Sequence, residues 1–257
     1  FPMITRKKTR QVRAGSLLIG GGAPVSIQSM TNVPIEDVEG TISQIRALRE
    51  AGADLVRLAV RKEESAEYLA KIIPAAGIPL CADIHFNHRI ALAAIKAGIH
   101  KVRINPGNIG DSSRVNEVVR AAKDSGVSIR IGVNGGSIDR RKYHEVTPEN
   151  LVESALEHVT ILEDNGFEDI VVSIKATDVF ATIEANKLFS QKRDYPVHIG
   201  LTEAGYGIGC AVQSSIVLGH LLLAGIGDTI RVSMTGDPVN EITVARSILQ
   251  TLGMRFQ

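Results

Sequence analysis

The chain has 257 residues, with 29 Lys and Arg against 28 Asp and Glu, and two cysteines. A net charge of +1 gives no electrostatic reason to expect a nucleic-acid partner. Cys81 and Cys210 are too few for a disulfide framework and form no Cys-x-x-Cys pair, which points to a reducing cytoplasm. No apolar run approaches the ~20 residues that cross a bilayer, and no signal peptide is visible, so no membrane partner is expected.

The basic run Arg6, Lys7, Lys8, Arg10 and Arg13 reads as a solvated end of the chain. Because residue one is Phe1, the native N-terminus is expected upstream. Residues 11–22 then predict a hairpin. Strands are predicted over 25–30, 55–60, 80–85, 101–105, 128–134, 170–176, 198–203 and 229–234. Helices are predicted over 35–51, 63–73, 88–97, 112–125, 148–165, 178–191, 211–223 and 238–252. Thr147–Pro148 and Asp237–Pro238 are N-caps with Pro at the first helical position. Gly52, Gly98, Gly126 and Gly166 fall where left-handed C-terminal caps belong. Strict alternation implies parallel strands with right-handed crossovers. At this length it favours an α/β fold of the (β/α)8 TIM-barrel class over an open sheet, with the hairpin closing the bottom. The chain reads as one barrel domain, residues 1–257, with no linker dividing it.

Side chains alternate across a strand. If the apolar rows face the helices, the other rows point inward. Those rows hold Ser26, Gln28, Arg57, Cys81, Asp83, His85, Lys101, Arg103, Asn105, Arg130, Asn134, Ser173, Lys175, His198, Thr202, Arg231 and Ser233. Most barrels fill this space with branched apolar residues. One carboxylate cannot satisfy so many cations, and unpaired buried charge is costly. Lys101 and Arg231 lie near strand starts and are expected to reach solvent below. Arg57, Arg103, Arg130 and Lys175 lie toward the strand ends, where barrel active sites form. Their number and geometry suit a ligand with about two phosphate groups. Gly205, Gly207 and Gly209 after the seventh strand, and Gly236 after the eighth, offer backbone donors in loops that commonly bind phosphate in this fold.

Glu203 ends the seventh strand out of parity and is expected in the mouth loop, as a proton donor or as an arginine's ion-pair partner. Asp83 and His85 have a spacing that can place two metal ligands together. Cationic neighbours oppose a metal there, so hydrogen bonding to the arginines or the ligand is expected instead.

Several runs are familiar in combination. They include Ile27-Gln28-Ser29-Met30-Thr31-Asn32, Ala82-Asp83-Ile84-His85-Phe86 and Arg103-Ile104-Asn105-Pro106-Gly107-Asn108-Ile109-Gly110. Arg130-Ile131-Gly132-Val133-Asn134, Ser173-Ile174-Lys175-Ala176-Thr177-Asp178 and Thr202-Glu203-Ala204-Gly205 join them. From about Thr9 to the end, the chain resembles the barrel domain of the 4-hydroxy-3-methylbut-2-enyl diphosphate synthase family of the non-mevalonate isoprenoid route. The resemblance implies a ligand, 2-C-methyl-D-erythritol 2,4-cyclodiphosphate, which the family reductively opens and dehydrates. It implies that Arg57, Arg103, Arg130 and Lys175 grip the diphosphate. It implies that His85, Asn105, Asn134, Thr202 and Ser233 surround the ligand and that Glu203 donates a proton.

The family's 4Fe-4S cluster is held by three cysteines and a glutamate in a C-terminal domain. Cys81 and Cys210 do not match those ligands, and the chain stops at Gln257 where that domain is expected to begin. The resemblance therefore implies a substrate-binding part that does not turn over alone. It further implies reduced ferredoxin or flavodoxin as electron donor and a homodimer as the whole protein. Two other readings stay open: a transferase of the dihydropteroate synthase kind, and a non-catalytic phosphate-ligand sensor.

Overall fold

The computed structural model describes residues 4–255. Phe1 and Gln257, on which the expectations about the chain's ends rest, lie outside them. A two-residue loop led by Gly15, at φ 59°, joins β1 (Gln11–Ala14) to the antiparallel β2 (Leu17–Gly20). Eight strand–helix units follow. They run β3 (Ser26–Met30), α1 (Val38–Ala51), β4 (Leu55–Ala59), α2 (Ser65–Ala76), β5 (Leu80–Asp83) and α3 (His88–Lys96). Next come β6 (Lys101–Arg103), α4 (Ser112–Ser125), β7 (Ser128–Asn134), α5 (Pro148–Asp164), β8 (Ile170–Lys175) and α6 (Val179–Lys192). The last are β9 (His198–Ile199), α7 (Gly207–Leu223), β10 (Thr229–Ile230) and α8 (Pro238–Thr251).

All eight strands are parallel. β3 through β8 pair in chain order, and β10 lies between β3 and β9. A parallel bridge, Val172↔Val197, joins β8 to the residue before β9 and completes the circuit. The predicted eightfold barrel is therefore the observed architecture.

Boundaries moved where local chemistry decides them. α1 begins at Val38 because the Asp37 carboxylate caps Gly40 N at 2.9 Å. α7 begins four residues earlier than expected. Gly207 and Gly209 form its first turn instead of a loop, and Tyr206 gives no side-chain cap. β9 and β10 are only two residues long, because the chain leaves the ladder toward the mouth soon after Ile199 and Ile230.

The parity argument is visible as two separate apolar clusters. The large one joins the outward strand residues, such as Val56, Ile104, Ile131 and Ile174, to helix residues such as Leu48, Leu69 and Val159. The small one joins hairpin residues Val12, Ala14 and Ile19 to inward-facing Leu55, Cys81 and Val171. The hairpin thus plugs the strand-start end of the barrel with apolar side chains.

The basic N-terminal run is not a solvated tail. Arg6 pairs with buried Asp228 at 3.1 Å, Lys7 donates to the Arg193 carbonyl at 2.6 Å, and Arg10 pairs with Asp194 at 2.8 Å. Asp228 also accepts from Val197 N at 2.9 Å, so this run helps tie down the plugged end.

Candidate active site

Strand register sets the inward charges in tiers. Asp83, Arg103 and Arg130 are level on β5, β6 and β7, while Arg57, Cys81, Lys101 and Ser128 are level one step below. Asp83 is the hub of the upper tier. Its carboxylate lies 3.2 Å from Arg103 Nη1, 3.6 Å from Arg57 Nε and 3.6 Å from His85 Nε2. Burial disfavours its charge, but His85 and the two guanidinium groups prevail and hold the carboxyl well below the usual range. Asp83 and His85 thus face arginines, as the sequence led one to expect.

Arg103 is also anchored by donation from Nη2 to the Gly132 carbonyl at 3.0 Å. Asn105 clamps the same residue, donating to Gly132 O at 2.9 Å and accepting from Gly132 N at 3.0 Å. These contacts use one of the two Asn105 amide hydrogens.

Arg130 is buried and donates from Nη2 to Ser173 Oγ at 3.3 Å, while its Nε and Nη1 have no partner among the described residues. Burial and repulsion by Arg57 and Arg103 work against its charge. A guanidinium stays protonated at any working pH, so this is stored electrostatic tension. Lys175 Nζ lies 3.3 Å from His198 Nε2; burial and Arg130 push both pKa values down. Among the described residues, neither Arg130 nor Lys175 forms an ion pair.

The remaining candidates line the rim. Thr202, Glu203 and Asn134 border a cavity of about 330 Å³ with Arg140 and Asp178. Thr202 donates to Ala176 O at 3.2 Å, and the Asn134 side-chain oxygen accepts from Gly136 N at 3.0 Å in a local turn. Glu203 is exposed and forms no ion pair among the described residues. Ser233 is half-buried, and its carbonyl accepts from Cys210 Sγ at 3.2 Å. On the opposite side, Met30, Arg61, Asp83 and His85 line a cavity of about 390 Å³. A larger cavity, about 690 Å³, lies at the hairpin end, where Arg255 and Asp54 already neutralise one another. Lys101, Arg130 and Lys175, which form no ion pair among the described residues, lie inside the lumen instead. Glu203 and Phe86 are also the two non-glycine residues with left-handed backbone among those described, at φ 54° and 58°. Strain of this kind collects at functional sites.

Two expectations fail. Lys101 does not reach solvent below; it is fully buried, because the hairpin covers the strand starts. Arg231 is held inside by Glu241, with contacts of 3.3 and 3.4 Å. Glu241 itself escaped sequence reasoning. It is buried in the first turn of α8, where it also accepts from Ser29 Oγ and Met234 N, both at 3.1 Å. An acid in a first turn ordinarily reads as a partner of the helix dipole, so no distinctive signal was present.

A closed parallel barrel with cations lining its lumen defines the class: an α/β-barrel protein with a cationic interior. Residues 9–246 match the family described as the GcpE TIM-barrel domain. The chain belongs to this family, the barrel domain of the 4-hydroxy-3-methylbut-2-en-1-yl diphosphate synthases, oxidoreductases of isoprenoid biosynthesis. It is 51% identical over 255 residues to 4-hydroxy-3-methylbut-2-en-1-yl diphosphate synthase (flavodoxin) of Acidithiobacillus ferrooxidans, covering 98% of this chain and 70% of that one. It is 52% identical over 256 residues to the like-named protein of Symbiobacterium thermophilum, covering 98% and 69%. Among solved structures, Yersinia pestis dihydropteroate synthase superposes with a TM-score of 0.68 at 12% identity, covering 95% of this chain and 98% of that one. That likeness shows the barrel fold alone and does not favour the transferase reading.

Proposed function

We propose that the lumen binds 2-C-methyl-D-erythritol 2,4-cyclodiphosphate, and that this chain is the substrate-binding domain, residues 1–257, of the enzyme that reductively opens it. The observation that carries the reading is the set Arg57, Arg103, Arg130 and Lys175, converging on a space where Asp83 is the nearest carboxylate. The ligand bears one ionised oxygen on each phosphorus. Guanidinium forks match such oxygens in pairs, and a desolvated lumen strengthens each contact. Asn105 and His85 approach from the β5–β6 side, Asn134, Thr202 and Ser233 from the other. Glu203 stands at the rim with no ion-pair partner among the described residues, available as the acid–base group of this reading.

A 4Fe-4S cluster, which supplies electrons to this chemistry, does not fit the cysteines of this chain. Cys81 is sealed against the hairpin and Cys210 lies on α7 beside Ser233. We therefore assign the ligands to residues outside these, and infer that this chain alone binds substrate without turning it over. The named activity of the relatives supports flavodoxin as electron donor, with ferredoxin the alternative. A homodimer and a cytoplasmic setting complete the reading; no described helix is long and apolar enough to cross a membrane.

Calorimetric titration of the chain with the cyclic diphosphate should give one-to-one binding, with far weaker heat from a pterin diphosphate. A folded chain that binds only the pterin compound, or neither, would remove the reading.

Gly132 supplies a sharper test. A Cβ there would lie 2.5 Å from Arg103 Nε and 2.9 Å from Nη2. Arg103 would have to leave both Asp83 and the Gly132 carbonyl. Gly132→Ala should therefore weaken cyclic diphosphate binding by about tenfold or more, the worth of a displaced charge-assisted contact, while the barrel stays folded. Equal affinities for variant and wild type would show that Arg103 does not reach the ligand.

A further inference from the structure

Below the arginine tier, the lumen contains polar side chains that no part of the proposed diphosphate grip uses. Lys101 is fully buried on β6, level with Cys81 and Ser128, directly above the apolar plug. Its Nζ has no hydrogen-bond partner among the described residues. Gln28 is equally buried, and among the described residues both of its amide atoms lack partners, as do Ser26 Oγ and Ser128 Oγ. With Lys175 as the donor to His198 Nε2, the ring proton belongs on Nδ1, which has no partner among the described residues.

Two features of this set matter. The first is its sign. Asp83 is taken by Arg57 and Arg103, and Glu241 by Arg231, so Lys101, Arg130 and Lys175 have no carboxylate among the described residues. The second is its chemistry. The unpartnered atoms carry more donor hydrogens than acceptor oxygens: an ammonium, an amide NH2 and an imidazole N–H, beside two hydroxyls that donate and accept and one amide oxygen that accepts. Water brings as many hydrogens as lone pairs and would leave this excess in place. A species that only accepts resolves it and supplies the missing negative charge.

We propose that the lumen holds a second, deeper anion site, between the hairpin plug and the arginine tier. It is formed by Lys101, Gln28, Ser26, Ser128 and His198, and takes one spherical monovalent anion of the halide class. Single donors arriving from strands on opposite sides of the barrel suit a sphere. The forked arginine pairs that suit a tetrahedral oxyanion stand higher, around Asp83. The site does not depend on the identity of the ligand at the mouth.

Crystals of the full chain grown in sodium bromide test it directly. The expected result is an anomalous bromide peak at hydrogen-bonding distance from Lys101 Nζ. In solution, bromide or chloride should raise the thermal midpoint by about 2–4 °C over gluconate at equal ionic strength, and Lys101→Met should abolish that difference. Ordered water at Lys101, bromide confined to Arg57 and Arg103, or inorganic phosphate in the deep position would each overturn the proposal. Should the variant fail to fold, the anomalous map of the wild-type chain decides alone.

Discussion

Arg130→Leu should lower affinity for the cyclic diphosphate by about a hundredfold or more while leaving the unliganded barrel as stable as before, or more so. The two effects have opposite signs for one reason. Without ligand, Arg130 is a buried cation repelled by Arg57 and Arg103, with Ser173 the acceptor it donates to among the described residues. Removing such a charge relieves a desolvation cost, since unpaired buried ions weaken a fold. In the complex, the Arg130 nitrogens would meet phosphate oxygens, and each charge-assisted bond lost costs about 1.5–3 kcal/mol. Calorimetry for binding and thermal melts for stability read the two effects separately. A variant that melts early yet binds normally would show that Arg130 is structural mortar.

The second large effect concerns Lys101. Burial, opposed by Cys81 and reinforced by Arg130 and Arg57, pushes its ammonium down to about 8, against about 10.4 in an unfolded chain. Between those values the unfolded state binds more protons, so the wild-type fold gains stability as pH rises through the window. Lys101→Met removes the term. In halide-free buffer the variant should be more stable than wild type by up to about 3 kcal/mol at pH 7. Its advantage should shrink to little by about pH 10. Denaturant melts at the two pH values measure the difference. A constant gap across that range would mean that Lys101 titrates normally, and so touches water.

The eightfold barrel was legible because two independent signals coincide. Outward rows such as Val102 and Ile104 repeat with period two, and glycines such as Gly52 and Gly126 stand where each helix must turn left-handed. The inward direction of Arg57, Arg103, Arg130 and Lys175 was legible for the same reason, since parity admits only two faces. Partners were not. Lys101 was assigned to solvent because strand position says nothing of what covers a strand start, and the apolar side chains of a distant hairpin cover this one. The carboxylate that holds Arg231 belongs to Glu241, on the helix after its strand, a contact set by packing and not by any local pattern. Gly207 and Gly209 read as loop because each glycine costs a helix about 1 kcal/mol. Tertiary packing of Cys210, Ser214, Val217 and Leu218 along α7 outweighs that cost.

The apolar plug beneath the strands has a consequence for traffic. A vessel stoppered at one end has a single doorway, so whatever lodges inside must back out along the route by which it arrived. If the proposed ligand lodges there, an arriving molecule and a departing one cannot pass each other, and an inhibitor seated at the lip would bar both.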